Sequence, residues 1–161
     1  MSEFTHLDDQ GRVRMVDVTD KHQTIRRAVA RGSVYMTPLT LKKIFDKETK
    51  KGNVLETARI AGIMAAKNTA GLIPMCHPLS ITYAAIDFSA DEAASAIHIQ
   101  SEVRVKGETG VEMEAMAAVA VSALTVYDMC KSHDRTMTIT DIQLVEKSGG
   151  NSGHFIRDDV A

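Results

Sequence analysis

From Val111 to Val126 the chain reads VEMEAMAAVAVSALTV, and after Glu114 no charged residue follows until Asp128. The segment from Val111 to Lys131 is the strongest helix in the sequence. A surface helix shows a charged face, and this one lacks it. A helix apolar all round is buried all round. One sheet covers only one side, so the other side needs a second cover, and a second subunit is the expected one. The chain is therefore expected to work as an oligomer. Its many Ala residues suit close approach of helices or chains. Aromatic residues are only 4%, with no Trp beside nine Met, so large rings do not fill this core.

The rest of the chain supplies the layers for that helix. Thr24 to Met36 reads as a strand, with Ile25, Val29, Val34 and Tyr35 and no helical stripe. Leu39 to Phe45 reads as a short surface helix begun after Pro38. Asn53 caps a longer helix from Val54 to about Asn68, with Glu56 at the capping-box spacing and Gly71 closing it. Leu79 to Ser89 is a strand whose apolar phase slips between Tyr83 and Ile86, which predicts a bulge. Ser95 to Val105 alternates cleanly, with Ile97, Ile99, Val103 and Val105 on one face. Residues 90–94 join these two strands as a hairpin, and Thr136 to Val145 is the last strand. The order strand, helix, strand, strand, helix, strand predicts an α+β fold. It is the ferredoxin-like two-layer sandwich, a four-stranded antiparallel sheet with two main helices on one face. At 161 residues one domain is expected, with 1–13 and 147–161 as flexible ends.

Charge and cysteine usage narrow the class. Lys+Arg 19 against Asp+Glu 21 leaves a net charge of −2, which argues against a general binder of nucleic acid or membrane surfaces. No membrane span and no signal peptide is read. Two cysteines, Cys76 and Cys130, form no disulfide framework, and a reduced cytoplasmic protein is expected.

Four groups interrupt otherwise apolar or small-residue surroundings: Lys51, Cys76-His77, Glu112 with Glu114, and Asp128 with Lys131. Asp128 and Lys131, at i and i+3, make a local ion pair on spacing alone; in a pocket the same pair suits proton transfer. Glu112 lies three residues after Thr109, which fits a capping box. Glu114 sits inside the helix among Met and Ala and is less easily explained. At 100° per residue, Glu112 and Asp128 point about 160° apart around the axis. If both serve catalysis, they serve two sites or one site assembled across an interface. Leu72 to Leu79, with Pro74 and Pro78, is a stiff connector able to position His77. Cys76 and His77 lack a second ligand pair for zinc. Lys51 precedes Gly52 and a helix N-terminus, a place suited to phosphate. Lys147 lies in a Ser/Gly tail read as loose. His6, His22, His98, His133 and His154 are read as surface residues.

Longer motifs carry a resemblance. They are Met15-Val16-Asp17-Val18, Lys51-Gly52, Thr57-Ala58-Arg59-Ile60-Ala61-Gly62, Leu72 to Leu79 (LIPMCHPL), Thr109 to Ala115 (TGVEMEA), and Tyr127-Asp128-Met129-Cys130-Lys131. In this order, over nearly the whole length, they resemble the cyclic pyranopterin monophosphate synthase family of molybdenum cofactor biosynthesis. The resemblance implies a lyase that converts 3′,8-cyclo-7,8-dihydro-GTP to cyclic pyranopterin monophosphate and releases pyrophosphate. It implies a homohexamer, a trimer of dimers with sites at the dimer interface, with no nucleic-acid or membrane partner. It implies Asp128, Lys131, Lys51 and His77 as catalytic groups. Met75, Cys76, Glu112, Met113 and Glu114 are implied as further pocket residues, and Arg26 as a triphosphate contact from a neighbouring subunit. No redox cofactor is implied, and a magnesium ion with the triphosphate is left open. This chain departs from relatives at Asn53, where they often carry Asp, and at Asn151, where they often carry Lys. The competing expectation is a non-catalytic oligomer that binds guanine nucleotides. A metal-binding or redox-sensing protein would need Cys76 and Cys130 to pair or to ligate.

Overall fold

The computed structural model describes residues 6–47 and 52–158. Its elements in chain order are β1 (Thr24–Tyr35), α1 (Pro38–Phe45), α2 (Val54–Lys67), α3 (Thr69–Leu72), β2 (Ile81–Asp91), β3 (Ala96–Gly107), α4 (Glu112–Cys130), β4 (Thr138–Ser148) and β5 (Phe155–Ile156). The strands form one antiparallel sheet in the order β2-β3-β1-β4-β5.

The sheet has five strands rather than the expected four. Lys147 and Ser148, expected in a loose tail, complete β4, and β5 then pairs Phe155 with Lys147 and Ile156 with Glu146. Gly149 and Gly150 make that return possible. Both take positive φ, +93° and +74°, which costs glycine little. A Cβ on Gly149 would also overlap the Ile25 carbonyl, and one on Gly150 the Arg26 guanidinium.

Asn53 Oδ1 accepts from the Glu56 N–H at 3.1 Å, but the Glu56 carboxylate turns to Arg59 at 3.2 Å, so half a capping box forms. Gly71 does not close α2. Asn68 does, and Thr69 Oγ1 donates back to the Ala65 carbonyl at 3.0 Å as α3 begins. The ladder between β2 and β3 slips between Ile81 and Tyr83, before the Tyr83–Ile86 stretch where the apolar phase predicts a bulge and where the register runs unbroken. After the slip, Ile86 is buried and Tyr83 is on the outside.

α4 packs against both the sheet and α2, and α2 itself also touches β2. Ala115, Ala118, Val119, Ala123 and Val126 are fully buried. The second cover inferred for this helix is therefore supplied in good part by α2 of the same chain. By length and composition α4 could cross a membrane; half of it is buried in this packing, and Leu124 and Met113 are exposed. Small residues set the spacing of the layers. Ser122 Oγ donates to the Ala58 carbonyl at 3.0 Å, and a Cβ on Gly62 would overlap Ser122 and Ile86 and come within 2.8 Å of the Ala118 carbonyl. Such distances leave no room for rings, which accounts for the aromatic shortage. Alanine gains about 1 kcal/mol of helix propensity over glycine, whereas overpacking costs about 1–3 kcal/mol. Gly62→Ala is therefore expected to lower stability, read as a lower urea midpoint at unchanged slope.

Beyond α4, Asp134 accepts from the Thr37 N–H at 2.8 Å and from the Thr136 N–H at 2.9 Å. These donors hold its carboxyl down at about 2 and tie the end of α4 to the start of α1.

Candidate active site

The N-terminal turn of α4 organises the site. Thr109 and Glu112 do not form the expected capping box; Val111 takes the N-cap position and no side chain caps the helix. Glu112, in the first turn, instead pairs with Lys147 Nζ at 3.0 Å. A Cβ on Gly110 would overlap the Glu112 carboxylate, so the glycine lets that carboxylate fold back over the loop.

Two residues further on, in the same first turn, Glu114 is 4% exposed. Burial strips its carboxylate of water, and the charge of Glu112 adds to the effect; together they push its pKa up to about 6. Cys76 faces the same negative group. Burial and the Glu114 charge both raise its thiol, so the unreactive protonated form is favoured. Neither cysteine is in a disulfide, and among the described residues no group of three His, Cys, Asp or Glu side chains could hold a metal ion.

The connector from α3 to β2 delivers Met75, Cys76 and His77 to the same place. His77 Nε2 lies 2.7 Å from the Val16 carbonyl. A cavity of about 420 Å³ is lined by these three, by Glu112, Met113 and Glu114 from α4, and by His6, Val16 and Lys21 from the N-terminal segment.

A second cavity of about 290 Å³ adjoins the first and shares Lys21, Thr109, Gly110 and Glu112 with it. Arg26 and Lys147 are its further cations. Arg26 Nε donates to the Gly107 carbonyl at 3.0 Å and Nη2 to the Glu108 carbonyl at 2.8 Å, which fixes the loop before α4. Arg26, the residue implied as a triphosphate contact, lines this second cavity. Three cations, Lys21, Arg26 and Lys147, face Glu108 and Glu112 there, a local balance that favours an anion.

Asp128 and Lys131 are not part of this cleft. They sit 16 or more residues along α4 from Glu112, about 24 Å by helical rise. Their side chains are 61% and 52% exposed and make an i,i+3 pair at 2.6 Å. Lys51 lies outside the described residues.

Sequence reasoning missed several neighbours. Lys147 stands in a stretch that reads as a loose tail, although the glycines after it are the residues that let the chain dock. Lys21 and His6 carry no local signal, and only the fold brings them to the cleft. His98 and His154, read as unpartnered, contact Ser33 at 2.9 Å and Glu146 at 2.9 Å respectively. A larger cavity, about 740 Å³, lies on the opposite face of the sheet, around Ser33 and His98. Asp91 is 3.5 Å from His98 there, too long for a firm orienting hydrogen bond, so this cluster braces β1 against β3.

The MoaC family model matches residues 15–150. The chain belongs to the MoaC family. It is 60% identical to a cyclic pyranopterin monophosphate synthase of Desulforapulum autotrophicum over 98% of this chain and 97% of the relative. It is 58% identical to the synthase of Desulfatibacillum aliphaticivorans over 98% and 99%. With that of Heliobacterium modesticaldum it shares 54% over 99% and 100%. The span matched to the MoaC family holds Arg26, His77, Glu112, Glu114, Asp128, Lys131 and Lys147; His6 precedes it.

Proposed function

We propose that this chain is a cyclic pyranopterin monophosphate synthase. It takes 3′,8-cyclo-7,8-dihydro-GTP, opens the imidazole ring of the purine, closes the pterin ring and forms the cyclic phosphate with loss of pyrophosphate. The observation that carries the reading is the continuity of the two cavities. One end offers a buried carboxyl, an imidazole and a thiol for holding and moving protons on a ring system. The other offers Lys21, Arg26 and Lys147 to a polyphosphate. Ring opening, ring closure and phosphoryl transfer involve no net electron change, so the reading needs no redox cofactor. The cations would meet the triphosphate whether or not magnesium travels with it.

Asp128 and Lys131 enter this reading through a second chain. Their distance from Glu112 along α4 supports a site completed across a dimer interface, within a hexamer of three dimers. Lys51 is assigned to the same composite site. The reading takes residues 1–161 as one catalytic domain in the cytoplasm. It also takes β1 to β4 with α2 and α4 as a ferredoxin-like core, to which β5 is an addition; the strand order β2-β3-β1-β4 supports this.

Incubation of the purified chain with the cyclised dihydro-GTP is expected to release one pyrophosphate per pterin formed. Tight binding of guanine nucleotides with no pyrophosphate would instead favour a non-catalytic nucleotide binder.

A further inference from the structure

His77 is held by the backbone of a segment far away in sequence. Its Nε2 lies 2.7 Å from the Val16 carbonyl oxygen, and a carbonyl can only accept. The proton of the neutral ring is therefore on Nε2. Nδ1 has no hydrogen-bond partner among the described residues, and the ring lines the cavity beside Cys76 and Glu114.

Val16 is braced in its position. The Leu7–Val13 bridge and the Arg14 N–H to His6 carbonyl bond at 2.9 Å fold the preceding residues into a narrow loop. Asp8 Oδ1 accepts from the Gln10 and Arg12 N–H groups inside it. After Val16, Asp17 Oδ1 accepts from the Thr19 N–H at 2.9 Å. On the other side, Pro74 and Pro78 stiffen the connector that carries the ring.

We propose that the Val16 carbonyl fixes His77 as its Nε2–H tautomer, so that Nδ1 is the proton-accepting atom this residue presents to the substrate. The segment from His6 to Val18 is then a working wall of the site, because it decides which nitrogen is free. The tautomer follows from geometry alone; the role of Nδ1 rests on the proposed reaction. The step is one proton taken up at Nδ1 from the substrate and later returned, with no electron change.

Nitrogen-15 spectra of histidine-labelled full-length protein, above the titration of the ring, test the first half without any substrate. A protonated Nε2 and a bare Nδ1 are expected for His77. A protonated Nδ1 overturns the proposal. Two variants test the second half. In His77→Gln the amide nitrogen can take the place of Nε2 and keep the Val16 contact, but nothing replaces Nδ1. It is expected to keep the wild-type protection of Arg12 and Arg14 from trypsin, and to lose pyrophosphate release by about 100-fold or more. His77→Asn shortens the side chain and is expected to lose both. Near-wild-type turnover in His77→Gln would reduce His77 to a brace and overturn the proposal. If His77→Gln also loses protection, the nitrogen spectra of the wild-type chain decide. A wild-type chain that releases no pyrophosphate, yet shows the Nε2–H ring, would fail the reaction and not the tautomer.

Discussion

Glu114→Gln is expected to give a protein that is more stable and almost inactive. The carboxyl titrates near 4.5 in an unfolded chain and at about 6 when folded, because it is buried and faces Glu112. Between those values the folded state holds more protons than the unfolded state. Stability therefore falls as pH rises through this window and stays reduced above it. The displacement corresponds to about 2 kcal/mol at most. Gln has nearly the same shape and no charge to desolvate. The variant's urea midpoint is expected to match wild type near pH 4 and to exceed it increasingly up to about pH 7. Activity moves the other way. At neutral pH Glu114 is mostly ionised, which suits a general base, and such a group contributes about 10²- to 10⁴-fold. Wild-type turnover is expected to rise with pH along a limb centred near 6, and the residual activity of the variant to lack that limb. A residue that merely packed the helix would show neither the opposed changes nor the lost limb. A variant with wild-type turnover would remove Glu114 from the chemistry.

The same residue shows how far sequence alone reaches. Glu114 is conspicuous in the sequence because it is charged inside an apolar helix, and the structure buries it. The alternation of Ile97 to Val105 is also local and reappears in β3, whereas the bulge read between Tyr83 and Ile86 falls instead at the start of β2, between Ile81 and Tyr83. What depends on distant contacts was illegible. Nothing near Thr109 reveals that Lys147, 35 or more residues on, takes Glu112 away from a capping box. Nothing near Val16 reveals that its carbonyl meets an imidazole 61 residues later. The loose reading of the tail failed for a related reason. Ser and Gly are equally suited to disorder and to a tight return, and only the close approach of Gly149 to the Ile25 carbonyl separates the two. α2 covers part of the side of α4 that the sheet leaves open, while Leu124 and Met113 of the same helix stay exposed.

The length of α4 sets Asp128 apart from Glu114 of its own chain, and mixing chains tests whether the two meet across an interface. Asp128 and Lys131 form an exposed pair of the kind worth about 0.3–0.5 kcal/mol, so Asp128→Asn is expected to leave stability nearly unchanged. If Asp128 completes a partner's cleft, that variant nonetheless loses nearly all turnover. Glu114→Gln loses it too, from the other side of the same site. Chains of the two kinds, co-expressed and assembled at random, place a mixed pair in about half of all dimers. In each mixed dimer one of the two sites collects both changes and the other collects neither. Recovery of about a quarter of wild-type activity is therefore expected from two nearly inactive parents. Parents mixed after separate assembly should regain it only as fast as subunits exchange. A mixture that stays as inactive as its parents would show that Asp128 and Glu114 do not meet across chains. Retained activity in Asp128→Asn alone would restore the plain reading of Asp128 and Lys131 as a surface ion pair at the end of a helix.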